Sequence, residues 1–373
     1  MKRRIVFTII KDMERIEVPV IKEYLEKFVE EKLSNNELFI KTYGKNFVNK
    51  RLNKNLDKVY IDKSRNDIAG CFRMQDKSIT LYLLDDETLD VKKIIEKIDD
   101  NQFLKFVILH EAVHAIFCKS ELEKKIQGIK CGTGIMEIRN DGTCVGKGIN
   151  EGMTNWICEK SGVKAESYRV TTDCTRKLED VIGEENMMKM ARGNIRRNVS
   201  KQLGIDEEQC INLLSILDQI IGAEKIYDQL MNIKNILIIY KDYQNLSEKD
   251  QEMVDKEYRK IKEDPLYKVI LEFKDKKSQD SSFIDMEIEC YETAVNNVKK
   301  KVDMYVQKFN KELAYIKYKL GMSKGRDSIF KIKKENSFKK RIADLSSYSN
   351  VEIKDTKSGY EEKRINQDIS KEI

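Results

Sequence analysis

The sequence predicts an α+β protein that is mostly helical. Two observations carry that expectation. Only two of the 373 residues are proline, Pro19 and Pro265, and 36% are charged, which favours long uninterrupted helices over a turn-rich all-β fold. Period-two alternation is confined to short stretches around 69–83 and 135–145, enough for a small sheet and no more. The length accommodates two domains, or one catalytic domain with a helical extension.

Residues 1–66 read as an N-terminal α/β segment. A short apolar run, Ile5 to Ile10, precedes a helix over Val18 to Lys32, in which Val20, Ile21, Tyr24, Leu25 and Phe28 recur at helical spacing. Tyr43 to Lys63 is basic and irregular, and no chemistry attaches to it. From Asp67 the pattern changes. Ala69 to Met74, a polar turn at Gln75-Asp76-Lys77, and Ser78 to Leu83 form a predicted β-hairpin. A helix over Leu89 to Ile98 follows and ends in Asp99-Asp100-Asn101, any of which can cap the next helix.

That next helix, Phe103 to Phe117, carries His110-Glu111-Ala112-Val113-His114. Residues four apart lie on one helical face, so the two imidazoles, the chain's only two, can converge on one ion with Glu111 beside them. This is a zinc-hydrolase arrangement: Zn²⁺ favours imidazole nitrogen, keeps a position open for water and lowers its pKa, and Glu111 is the expected general base. Phe103, Phe106, Val107, His110, His114 and Phe117 form one inward stripe. Eight of the seventeen glycines then fall between Gly128 and Gly162. Within that region Ile135 to Arg139, Asn140-Asp141-Gly142 and Thr143 to Val145 compose a tight hairpin. A second helix opens at Asn150-Glu151-Gly152-Met153-Thr154-Asn155. With no third histidine, the remaining ligand is an acid or a cysteine. Glu151 is the best placed, and Cys118, four residues past His114, is the alternative.

The pair His110-Glu111-Xaa-Xaa-His114 and Asn150-Glu151-Gly152-Met153-Thr154 resembles the gluzincin clan of zinc metallopeptidases, the thermolysin-like and aminopeptidase-like group. The likeness covers roughly Asp67 to Asn198, and it marks 67–205 as a gluzincin-like catalytic core with a small zincin-like sheet. It implies His110, His114 and Glu151 as zinc ligands, Glu111 as base, and Asn150, Thr154 and Asn155 as their supports. Gly70, Cys71 and Phe72 fall on the strand to which the clan's extended substrates add. Asn155 stands where thermolysin-like enzymes have an aspartate on a ligand histidine. The clan also uses a downstream Tyr, His or Arg as oxyanion stabiliser, for which Tyr168 and Arg169 are the candidates.

Residues 206–320 read as a helical domain. Cys210 to Ile221 and Ile226 to Tyr240 are two predicted helices with Gly222 as the break. Ser247 caps another, running to Lys262 and ended by Asp264-Pro265. Ile284, Ile288, Tyr291, Val295, Val298, Val302, Tyr305, Phe309, Leu313, Ile316 and Leu320 then make a heptad stripe. It either packs on the preceding helices or joins two chains as a homodimer. Residues 321–373 form a basic, partly disordered tail: Lys324 to Arg341 holds eight basic residues against two acidic ones, and Ser346 to Ile373 lacks any long period.

The net charge of +6 is modest, and the basic residues are not concentrated near the metal motif, so nucleic acid is not the expected ligand. No run approaches 18 apolar residues, which argues against a membrane span. Ile5 to Ile10 is too short for a signal segment, and the eight cysteines show no paired spacing, which together predict a cytoplasmic protein with reduced thiols. The functional expectation is a zinc metallopeptidase acting on a peptide or protein substrate. Two other readings stand beside it: a helical scaffold with a structural or degenerate zinc site, and a regulatory intracellular protease that cleaves one partner, such as a DNA-bound repressor.

Overall fold

The computed structural model describes residues 15–62, 69–82, 91–193, 199–241, 243–263 and 283–322. The run Ile5 to Ile10, the stop at Asp264-Pro265 and the tail after residue 322 lie outside the described residues. The fold is α+β and mostly helical, with one four-stranded and one three-stranded sheet among the described residues. Contacts divide the chain into two compact units, Met1–Lys225 and Ile226–Ile373.

In the first unit, β1 (Ile16–Glu17) leads into α1 (Pro19–Ser34), whose start suits proline because the first helical N–H needs no partner. Its buried stripe is Ile21, Leu25, Val29 and Leu33, while Val20 is exposed. The expected stripe was thus rotated: stepping by four places Val29 and Leu33 inside and turns Val20 to solvent. Next come α2 (Glu37–Tyr43), α3 (Phe47–Asn55), β2 (Lys58–Asp62), β3 (Gly70–Arg73) and β4 (Ser78–Tyr82). The predicted 69–83 hairpin is the β3/β4 pair, antiparallel with Cys71 opposite Thr80. The sheet order is β1-β2-β4-β3, so among the described residues β3 is an edge strand.

After α4 (Val91–Asp100) comes the helix on which the site is built, α5 (Gln102–Phe117), capped by Asn101, whose Oδ1 accepts the Leu104 N–H at 3.2 Å. It is buried on nearly all sides. Leu104, Phe106 to His110 and Ala112 to Phe117 are inside, and Phe103, expected in the stripe, is 43% exposed at the first turn. A helix this enclosed cannot leave its last carbonyls to water. The segment that suggested no chemistry satisfies them. Arg51 and Asn55, one turn apart on α3, donate to Ile116 O (2.8 Å) and Ala115 O (2.9 Å) and both reach Cys118 O.

Beyond α6 (Glu121–Gln127), an antiparallel sheet forms from β5 (Ile129–Thr133), β6 (Met136–Arg139) and β7 (Cys144–Val145). The predicted Asn-Asp-Gly turn joins the last two, with Arg139 N–H donating to Thr143 O at 2.9 Å. Helix α7 (Lys147–Lys160) then crosses α5, followed by α8 (Arg169–Ile182), α9 (Glu184–Met190) and α10 (Ser200–Leu203). Two glycines let α7 approach its neighbours. A Cβ on Gly152 would stand 2.0 Å from Thr175 Oγ1 of α8, and one on Gly148 would stand 2.2 Å from Leu217 O.

Leu217 belongs to α11 (Glu207–Lys241), a single helix where two were expected. Gly222 does not break it. Glycine costs about 1 kcal/mol against alanine in a helix interior, and burial of Leu217, Ile220 and Ile221 before it and of Ala223, Ile226 and Leu230 after it outweighs that cost. The second unit holds the far end of α11, α12 (Glu248–Glu263) and α13 (Phe283–Lys319). Ser247 caps α12 as predicted, its Oγ accepting the Asp250 N–H at 3.3 Å. The heptad stripe lies on α13 with Tyr291, Val298, Phe309 and Ile316 buried, and Lys234 of α11 pairs with Glu292 at 3.1 Å. Leu320, the last residue of the stripe, lies just past the end of α13 and is exposed. No helix among the described residues is long and apolar enough to cross a membrane.

Candidate metal centre

Helices α5 and α7 bring three donor atoms together. His110 Nε2 and His114 Nε2 are 3.1 Å apart, and Glu151 Oε2 lies 3.0 Å from the first and 3.3 Å from the second. Both rings are buried, and these three residues form a group that can hold a metal ion. Three lone-pair-bearing atoms this close repel one another unless a cation or a proton lies between them. The near-equilateral triangle has its centre about 1.8 Å from each corner, close to the 2.0–2.2 Å typical of zinc–nitrogen and zinc–oxygen bonds, so the three atoms could hold an ion of that size.

The surrounding hydrogen bonds decide which nitrogens are available. Asn155, fully buried on α7, donates through Nδ2 to Ser167 O (2.7 Å) and Thr172 Oγ1 (2.8 Å). Its Oδ1 is thereby left to accept from His110 Nδ1 at 2.9 Å, and a proton on Nδ1 leaves the Nε2 lone pair facing Glu151. Asn150 serves His114 less completely. Its Oδ1 accepts the Ile135 N–H at 3.2 Å and its Nδ2 faces His114 Nδ1 at 3.2 Å. To hold a metal through Nε2, a neutral His114 would carry its proton on Nδ1, facing that amide nitrogen, so the Asn150 side chain would have to shift from this position. Thr154, the third expected support, bonds its own helix at Asn150 O (2.9 Å), and among the described residues no hydrogen bond joins it to a candidate ligand. Thr133 fixes the ligand helix instead, donating to His114 O at 2.6 Å.

Charge follows the same geometry. Burial opposes ionisation of Glu151, but the His114 and His110 imidazoles overcome it and hold the carboxyl well below the usual range. Burial disfavours the charged form of His114, and the Glu151 carboxylate more than offsets it and raises its pKa. Cys118 does not join the group. It caps α5 through its backbone, and burial raises the pKa of its thiol.

Glu111 lies beside the ligands and accepts the Phe72 N–H of the edge strand at 2.7 Å. Gly70 makes that approach possible: a Cβ there would meet Val107 Cγ1 at 2.5 Å and Glu111 Cγ at 3.1 Å. Cys71, between them, faces the other side of the strand. Tyr168 comes to the site as well, its ring centroid 6.5 Å from that of His110. Burial, then Glu151 and Glu111, push its pKa well above the ordinary phenol value, so its proton is held. Arg169 is exposed at the start of α8, and no contact among the described residues joins it to the three candidate ligands.

Two carboxylates that the motifs did not point to complete the scaffold, both on α11. Asp218 accepts the Gly146 N–H (2.9 Å) and the Gly148 N–H (2.6 Å), capping α7, whose own N-cap is a glycine without a side chain. Glu224 does the same for α8. No protein-family model matches the chain, and comparisons with curated proteins and with solved structures likewise find no match.

Proposed function

We propose that this protein is a zinc-dependent metallopeptidase of gluzincin-like design, acting in the cytoplasm on a peptide or protein. The observation that carries the reading is the convergence of His110 Nε2, His114 Nε2 and Glu151 Oε2, with Glu111 anchored between them and an edge strand. Among the described residues no fourth side chain joins the group, which suits a catalytic site better than a structural one. Zinc, when bound, supplies Lewis acidity to the scissile carbonyl and lowers the pKa of a site water.

The chain's own residues do the rest. Glu111 takes the proton of the attacking water and returns it to the leaving amine. Its bond to Phe72 N–H holds one oxygen in place and leaves the other for that work. Tyr168, kept protonated, donates to the developing oxyanion. By antiparallel alternation, Gly70 presents its N–H and carbonyl, and Phe72 its carbonyl, away from β4, where an extended peptide can add as a further strand.

The experiment is metal analysis paired with Glu111→Gln. The purified protein should carry one zinc, and the variant should keep it while losing peptide hydrolysis at least 1,000-fold. Full activity in Glu111→Gln, or no metal in the wild type, rejects the proposal.

A further inference from the structure

Glu224 lies on α11, beyond both sequence motifs, and is buried. Its carboxylate accepts three hydrogen bonds from the first turn of α8: Val170 N–H at 2.7 Å, Thr171 N–H at 3.1 Å and Thr171 Oγ1 at 2.8 Å. That is the work of an N-cap, which normally comes from Ser, Thr, Asp or Asn at the residue before the helix. Here that residue is Tyr168, which makes no capping bond and has φ 49° and ψ 48°. A tyrosine in the left-handed region costs about 1 kcal/mol and persists only where its surroundings impose it. What the position provides instead is a phenol beside His110, close to Glu151 and Glu111. The next residue of α11 secures the ring, with Lys225 Nζ 5.0 Å from its centroid.

We infer that Glu224 is a positioning residue for Tyr168. By capping α8 from a distant helix it relieves position 168 of that task and holds its backbone left-handed, so that the phenol reaches the candidate metal centre. What the phenol does there rests on the peptidase reading; where it stands does not.

The test uses the full chain labelled with 3-fluorotyrosine, the fluorine resonance of Tyr168 being identified by its loss in Tyr168→Phe. In Glu224→Gln this resonance should leave its folded position for that of solvent-exposed tyrosines. Zinc affinity, read by competition with a chromophoric chelator, should stay within threefold of wild type. Hydrolysis should fall about 100-fold in kcat with KM nearly unchanged, and Glu224→Gln should cost nothing further in a Tyr168→Phe background. Glu224→Asp, which keeps the charge on a shorter arm, should lie between and covers the case in which the amide variant fails to fold. An unmoved fluorine signal in either variant overturns the inference, as does a zinc affinity lost in step with the signal. A wild type without hydrolytic activity would sink the peptidase reading alone, and the fluorine resonance would still decide the role of Glu224.

Discussion

Replacing Asn155 tests the hydrogen-bond logic of the site most directly. In Asn155→Ala the His110 Nδ1–H loses its acceptor, and Ser167 O and Thr172 Oγ1 lose a donor, in a position with no solvent access. A buried polar group left unpaired costs about 1–3 kcal/mol. Only the His110 share acts on the metal, because it frees the ring to turn and to carry its proton on Nε2. Taking that share as about 2 kcal/mol, zinc affinity should fall about 30-fold at 1.4 kcal/mol per decade, within the range typical for residues behind a metal ligand. Chelator competition measures it, with Thr154→Ala as the control that removes no hydrogen bond to a candidate ligand. Asn155→Asp, which adds negative charge behind the ligand, should weaken binding too, because it sets a second oxygen 2.7 Å from Ser167 O. An affinity within twofold of wild type in Asn155→Ala, or tighter binding in Asn155→Asp, would refute this account of the His110 proton.

Asp218→Ala should destabilise the protein by about 1–2 kcal/mol as a lost N-cap and weaken zinc binding, since α7 carries Glu151; urea denaturation with and without metal separates the two effects, and unchanged zinc affinity would show that α7 is held without it. Acid stability has a specific contributor in Glu123. Burial opposes its ionisation, but the Ser120 N–H and hydroxyl and the Arg192 guanidinium bring its pKa down to about 2. A carboxyl depressed on folding stabilises above its unfolded value, and that stability is lost as pH falls from about 4.5 toward 2. The full shift is worth about 3 kcal/mol at most, less for the quarter of the side chain that solvent reaches. Glu123→Gln should therefore flatten the loss of stability between pH 5 and pH 2.5 in urea titrations, and parallel curves for the two proteins would exclude it.

What the sequence disclosed is what local spacing can encode. The four-residue step on α5 and the turn residues of both hairpins lie within a dozen positions of the groups they serve. The three candidate ligands could be named because the second motif carries an acid at a helix start. The failures share another cause. Gly222 looked like a stop because propensity is read locally, while the burial that keeps α11 continuous comes from tertiary packing. Val20 and Phe103 are apolar residues at helical spacing that the packing left outside. The supports of the site were out of reach for the same reason: Arg51 meets Ile116 across 65 positions, Asp218 meets Gly146 across 72, and Glu224 meets Val170 across 54. No periodicity links such pairs. Asn155 stands where the resembling enzymes have an aspartate, and its amide is what Ser167 O and Thr172 Oγ1 require, since a carboxylate could donate to neither.

The capping of α5 from one flank and of α7 and α8 from the other bears on how small a working fragment can be. Cutting the chain to the span delimited by the two motifs, residues 67–205, would keep all three candidate ligands and discard Arg51, Asn55, Asp218 and Glu224. Such a piece would bear the full signature and lack what holds it in register. The shortest stretch that retains all four anchors runs from α3 through Glu224, and a shuffled or grafted version would have to carry both margins with it.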